Sequence, residues 1–181
     1  MSAILTLEPL LEAIREGMDG AGWALSGLQK TTSHQFEGRW EGEHTRSAYL
    51  FFHRDDLPDG VSIDVFLDES SKGLRGNFAL VIDGPDLGES PDVTRTLSTL
   101  SEAAGAVLPE GFRSPITLRL WLEGREAPPD EAESEYRFKL HIPTVAVEAG
   151  PSAIVALTST FVKAFEALVL DSRMQVYVPK E

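Results

Sequence analysis

The sequence predicts an α+β protein, an antiparallel β-sheet (a meander plus a hairpin) flanked by three α-helices. Three observations predict it. Segments with period-two apolar alternation recur along the chain, as half-buried strands require. Short Gly-, Asp- and Pro-rich links join them, too short for parallel crossovers. Three other stretches switch to apolar spacing of three and four, the stripe of a helix with one buried face.

The first helix is expected over 7–18, with Leu7, Leu10, Leu11, Ile14 and Met18 inward. Thr6 stands at the N-cap position, and Pro9 falls in the first turn where its missing N–H costs little. Glu8, Glu12 and Glu16 form an acidic stripe, read as a solvated back. Residues 22–28 read as a weak strand and 33–41 as a half-buried one with Phe36 and Trp40 on one face. Segment 46–54 is apolar on both faces, Ala48, Leu50 and Phe52 against Tyr49, Phe51 and His53. It should lie centrally or be covered twice. Segments 60–69 and 74–84 alternate again. A second helix is expected to open at Ser90 and Pro91 and stop at Pro109. Strands at 115–123 and 135–143 follow, separated by an acidic loop. The longest helix spans 151–170 and is apolar over well over half its circumference, which demands cover on two sides. A last short strand is expected at 174–178.

The chain of 181 residues reads as a single domain, long enough to bury its own core. A faint internal repeat, 5–83 against 92–144, rests on Thr6-Leu7-x-x-Leu10-x-Glu12-Ala13 recurring as Thr96-Leu97-x-x-Leu100-x-Glu102-Ala103. The absence of Cys excludes disulfides and thiolate metal sites and suits a reducing compartment. Acidic residues interrupt the N-terminal apolar run, unlike a signal peptide. The stretch 153–170 is broken by Thr158, Ser159, Thr160, Lys163 and Glu166, so no membrane span is expected. The expectation is a cytoplasmic protein.

Twenty-nine Asp and Glu face sixteen Lys and Arg, a formal charge of −13. Phosphate backbones are bound mainly by cations, so direct nucleic-acid binding is not expected, and a protein partner should be basic. No Gly-x-Ser-x-Gly elbow, P-loop or His-Glu-x-x-His occurs, and no catalytic residue, cofactor or metal is assigned. Among the four His, His34 and His53 could meet Asp64 across the sheet, with Glu37 and Asp64 as a conceivable acid–base pair. The Asp55, Asp56, Asp59 and the Asp83, Asp86, Glu89, Asp92 groups lack calcium-loop spacing and read as solvated turns.

One patch departs from the acidity. If 115–123 and 135–143 pair, Thr117, Arg119 and Trp121 share an outward face with Arg137, Lys139 and His141. Internal pairing with acidic neighbours is the simpler reading. The other is a partner site through Arg119, Trp121, Arg137, Lys139 and His141, because Trp and Arg dominate binding hot spots. A homodimer is expected on the apolar excess of Phe161, Val162 and Phe165, with Tyr49 and Phe51 as further contacts.

The order of segments Leu7–Met18, strands, Val93–Val107, strands and Ile154–Val169 resembles the type III secretion chaperone-like fold and the related YbjN family of bacterial proteins. The resemblance implies helices flanking an antiparallel sheet, and subunit pairs offering apolar patches to a client. This chain has about five strands before the second helix, where the chaperones have three. The expected function is therefore a non-enzymatic, dimeric, protein-binding or chaperone-like module. The alternative is a START-like binder with a ligand cavity between the sheet and the C-terminal helix.

Overall fold

Among the described residues six strands form one antiparallel sheet in the order first, second, third, fourth, sixth, fifth, and the first and last helices close its inner face. The computed structural model describes residues 6–32, 46–70, 73–83, 98–99, 101–103, 105–106, 116–121 and 133–170. The expected strands at 33–41 and 174–178 lie outside them. Of the expected second helix, the described residues between 98 and 106 are helical, and Ala103 is buried.

Helix α1 (Leu7–Gly20) buries Leu10, Ile14 and Met18 completely. Its start departs from expectation. Thr6 makes no side-chain cap; instead the Leu7 N–H donates to Glu69 Oε2 at 2.7 Å. A strand carboxylate satisfies one of the orphan donors of the first turn and suits the positive end of the helix. Glu69 also takes Arg46 Nη2 at 2.9 Å, and Arg46 pairs with Glu8. That hydrogen bond holds the Glu8 carboxyl below its ordinary range, so the first member of the acidic stripe is paired.

The meander β1 (Ala24–Thr32), β2 (Arg46–His53), β3 (Val61–Ser70) and β4 (Gly73–Asp83) runs in consecutive antiparallel pairs. Strand β5 (Ile116–Trp121) forms a hairpin with β6 (Glu133–His141), and β6 slots in beside β4. The alternation sets the inner face: Val61, Ile63, Val65 and Leu67 are buried, as are Tyr136, Phe138 and Leu140. Strand β2 lies one place from the end of the sheet rather than centrally. Its second apolar side faces outward.

Two elements follow Pro143. The short helix α2 (Thr144–Ala149), not anticipated from its β-branched residues, is anchored by buried Val147. Gly150 then turns the chain at φ +102°, a region that favours glycine, and α3 (Pro151–Val169) begins with Pro at its first position. The expected apolar excess of α3 is covered within one chain. Phe161 meets Phe78 edge-on with centroids 5.2 Å apart, and Phe165 meets Phe138 at 5.8 Å. On another side α1 comes so close that a Cβ on Gly17 would stand 2.8 Å from Thr158 Cβ. Thr158 is fully buried, and its hydroxyl donates to the Ile154 carbonyl at 2.8 Å.

This corrects one expectation. Phe161, Val162 and Phe165 are at most 1% exposed in the single chain, so they offer nothing to a second copy. By length and hydropathy α3 would also pass for a membrane span, yet its rings are spent on the sheet.

Candidate functional site

The outer face of the sheet carries the chemistry. Strand alternation sends Tyr49 and Phe51 of β2, Asp64 and Phe66 of β3, Ala79 and Val81 of β4, and Arg137 and Lys139 of β6 to this side. The registers Tyr49↔Phe66, Phe51↔Asp64, Asp64↔Ala79 and Ala79↔Lys139 set them in rows across four strands. At its centre β4 offers Ala79 and Val81 on this side, while its neighbours carry larger side chains. The result is a trough floored by Ala79. Aromatic rings wall it on the β2–β3 side and cations on the β6 side. One hollow of about 460 Å³ holds Tyr49, Phe66, Asn77 and Lys139. A second, of about 390 Å³, holds His53, Asp59, Asp83 and Glu135. Phe51 and Asp64 line both, so the two form one trough running from an aromatic end to an acidic end.

Asp64 sits at the junction, its side chain 18% exposed. Its Oδ1 accepts the Ser62 hydroxyl at 2.9 Å. Its Oδ2 has Arg137 Nη2 at 3.5 Å, at the outer limit of a hydrogen bond. Arg137, whose partner on β4 is Val81, reaches that point diagonally across the strand. Its shorter bond goes to Glu135 at 2.6 Å. A neighbouring guanidinium normally lowers a carboxyl pKa. Here burial wins and pushes Asp64 above its ordinary range. Glu135 adds to the rise, and the Ser62 bond, Arg137 and His53 oppose it.

At the acidic end a β-bulge between Leu25 and Gly27 inserts Ser26 into β1 and re-aims its side chain, as bulges do. Ser26 Oγ lies 2.6 Å from His53 Nδ1 and 3.0 Å from the Phe51 carbonyl oxygen. The hydroxyl can donate to the Phe51 carbonyl, and the direction of its contact with His53 follows the imidazole tautomer.

The residues singled out from sequence are placed as follows. His53 and Asp64 do share a hollow; His34 and Glu37 lie outside the described residues. The hairpin on which the expected basic platform rests is present. Pairing of β5 with β6 begins at Ile116↔Phe138, so Lys139 and His141 lie beyond the start of β5. Arg119 stands opposite Glu135 and Trp121 opposite Glu133. Arg137 pairs with acids, Glu135 and Asp64. Tyr49 is 41% exposed, and its ring lies 4.8 Å from that of Phe66. Sequence reasoning missed Phe66, Ser26 and Glu135. Phe66 had a signal, since it falls on the polar side of 60–69; Ser26 had none, because a bulge leaves no mark in a period-two pattern.

A third hollow, of about 560 Å³, lies between Glu12, Arg15, Glu16 and Asp19 of α1 and Trp23, Ala24, Leu25 and Phe52. None of the three lies between the sheet and α3, where the phenylalanine rings sit. No group of three His, Asp or Glu that could hold a metal occurs among the described residues.

Fold and site together define an α+β protein with a helix-covered inner sheet face and a troughed, charged outer one. No protein family, characterised protein or solved structure matches the chain.

Proposed function

We propose that the chain is a non-enzymatic protein-binding module, chaperone-like in use, which takes a basic partner segment on its outer sheet face. The observation that carries this is the trough itself: no described helix packs on it, and Tyr49, Phe51 and Phe66 line a hollow that ends in carboxylates. The net charge of −13 favours a cationic partner over a second copy of the chain, because electrostatic complementarity steers association and like charge suppresses it. Self-association through Tyr49 and Phe51 is then the other outcome that light scattering would reveal. The role of client-binding module agrees with the resemblance drawn from element order. A small-molecule reading is second, favoured by a hollow volume that falls within the range of ligand pockets.

The test uses a fluorescent peptide of three Leu-Ser-Arg-Ser repeats, whose Leu and Arg share one face when extended. Binding should weaken steeply with salt. The double variant Tyr49→Ser, Phe66→Ser should lose about tenfold or more, the scale of a lost hot spot. The control Glu12→Gln, Glu16→Gln removes two negative charges from α1, away from the trough, and should bind nearly as wild type. A loss in the control as large as in the trough variant would place the peptide off the outer sheet face and end the proposal.

A further inference from the structure

We propose that the junction of the trough, where Asp64 faces the Phe51 ring and the Tyr49–Phe66 pair, is a pocket for one organic cation, the guanidinium or ammonium end of a partner side chain. The inference rests on the docking role of this face and names what it recognises.

Four observations carry it. The first is the state of Asp64. One carboxylate oxygen is satisfied by Ser62, and the other has only the 3.5 Å contact with Arg137. Arg137 is drawn the other way, to Glu135 at 2.6 Å. A carboxylate removed from water and weakly compensated gains strongly from a cation of good geometry. The raised pKa of Asp64, caused first by burial, reflects the same deficit. The second is the aromatic wall. Phe51 is the register partner of Asp64, and the adjacent pair is Tyr49↔Phe66 with centroids 4.8 Å apart. Ring faces attract cations, more so where water is excluded. The third is the charge around the junction. Facing Asp64 are His53 from β2, Asp83 from β4, Glu135, Arg137 and Lys139 from β6, and Asp59 from the β2–β3 turn. Arg137 is held by acids, and Lys139, Asp83 and Glu135 each have further partners; with Asp64, four carboxylates stand against two cations. The fourth is dispersion. The carboxylates spread over several strands, and among the described residues none converge as metal ligands do. Spread acceptors beside rings suit a wide, partly apolar cation and not a bare metal ion.

The experiment compares the Leu-Ser-Arg-Ser peptide with a twin in which citrulline replaces Arg, keeping shape and hydrogen-bonding while removing charge. Free agmatine serves as a third probe, to tell a small cation from a side chain. Each is titrated into wild type, Asp64→Asn and Phe51→Leu by calorimetry, with thermal melts confirming that the variants fold. Wild type should prefer the Arg peptide by about tenfold, the scale of a partly desolvated cation–π and ion-pair contact. Asp64→Asn should bring the twins near parity, and Phe51→Leu should narrow the gap. Twins that bind wild type equally would overturn the cation pocket and leave the docking reading standing. A preference undiminished in Asp64→Asn would also overturn the pocket. Agmatine binding that depends on Asp64, with neither peptide bound, would support the pocket and overturn the docking reading. Failure of all three probes would overturn both.

Discussion

The two faces of one sheet are put to opposite uses by the same strands. On the inner face, Leu50, Phe52, Ile63, Val65, Phe78 and Leu80 are at most 1% exposed beneath α1 and α3. Rings there meet edge-on, as Phe161 does with Phe78, a geometry that aromatic quadrupoles favour. On the outer face the alternate residues of the same strands include Tyr49, Phe51 and Phe66, yet Tyr49 remains 41% exposed. There Asp64 is held by one bond of 2.9 Å and one long contact of 3.5 Å. A fold-stabilising face closes its apolar groups and satisfies its polar ones. The outer face leaves Tyr49 open and Asp64 loosely paired, and that difference is the physical ground for proposing that it binds.

The contrast can be broken most directly by removing one ring from each face. Phe161→Ala should cost about 3–5 kcal/mol, the range for a fully buried Phe leaving a cavity. Tyr49→Ser should cost no more than about 1 kcal/mol, the scale of a cross-strand pair. Urea unfolding of both variants checks this, and comparable losses would erase the distinction between the faces.

A smaller effect sharpens the inner-face account. Gly17→Ala should destabilise by about 1–3 kcal/mol, the usual cost of overpacking, because its Cβ would stand 2.8 Å from Thr158 Cβ. On an open helix the same change would stabilise by roughly 1 kcal/mol. A stabilised variant in thermal melts would mean that α1 and α3 are not in close contact.

Smallest, and specific to the outer face, is the pH dependence of Asp64. Its pKa is raised in the folded state, burial being the main cause. The folded state therefore binds the proton more tightly than the unfolded chain. Stability contributed by this group falls as pH rises from the ordinary aspartate range through the raised value. Asp64→Asn removes that penalty. Relative to wild type it should gain stability from acidic to neutral pH in a series of melts, whereas a relative loss toward neutral pH would show that Arg137 dominates the site.

The inner face was legible from sequence because burial on one side follows directly from period two. Val61, Ile63, Val65 and Leu67, or Tyr136, Phe138 and Leu140, needed no knowledge of partners. The long helix was also legible, but not what covers it, so its apolar excess was misread as a dimer surface. What stayed hidden depends on contacts between distant segments. The Glu69 cap on Leu7 joins residues 62 positions apart. The placing of Arg119 opposite Glu135 follows from the register of β5 against β6. The Asp64–Arg137 approach requires β6 to lie beside β4. Sequence named Asp64 and His53 as companions, but it could not show that Phe51 and Phe66 would wall the same trough.

The central claim, that binding belongs to the outer face, is tested most directly by amide chemical-shift mapping during titration with the Leu-Ser-Arg-Ser peptide. The account predicts shifts concentrated at Tyr49, Phe51, Asp64, Phe66, Ala79 and Arg137, with Ile14, Phe161 and Phe165 unmoved. Shifts concentrated instead at Glu12, Glu16 and Asp19 on the back of α1 would contradict it.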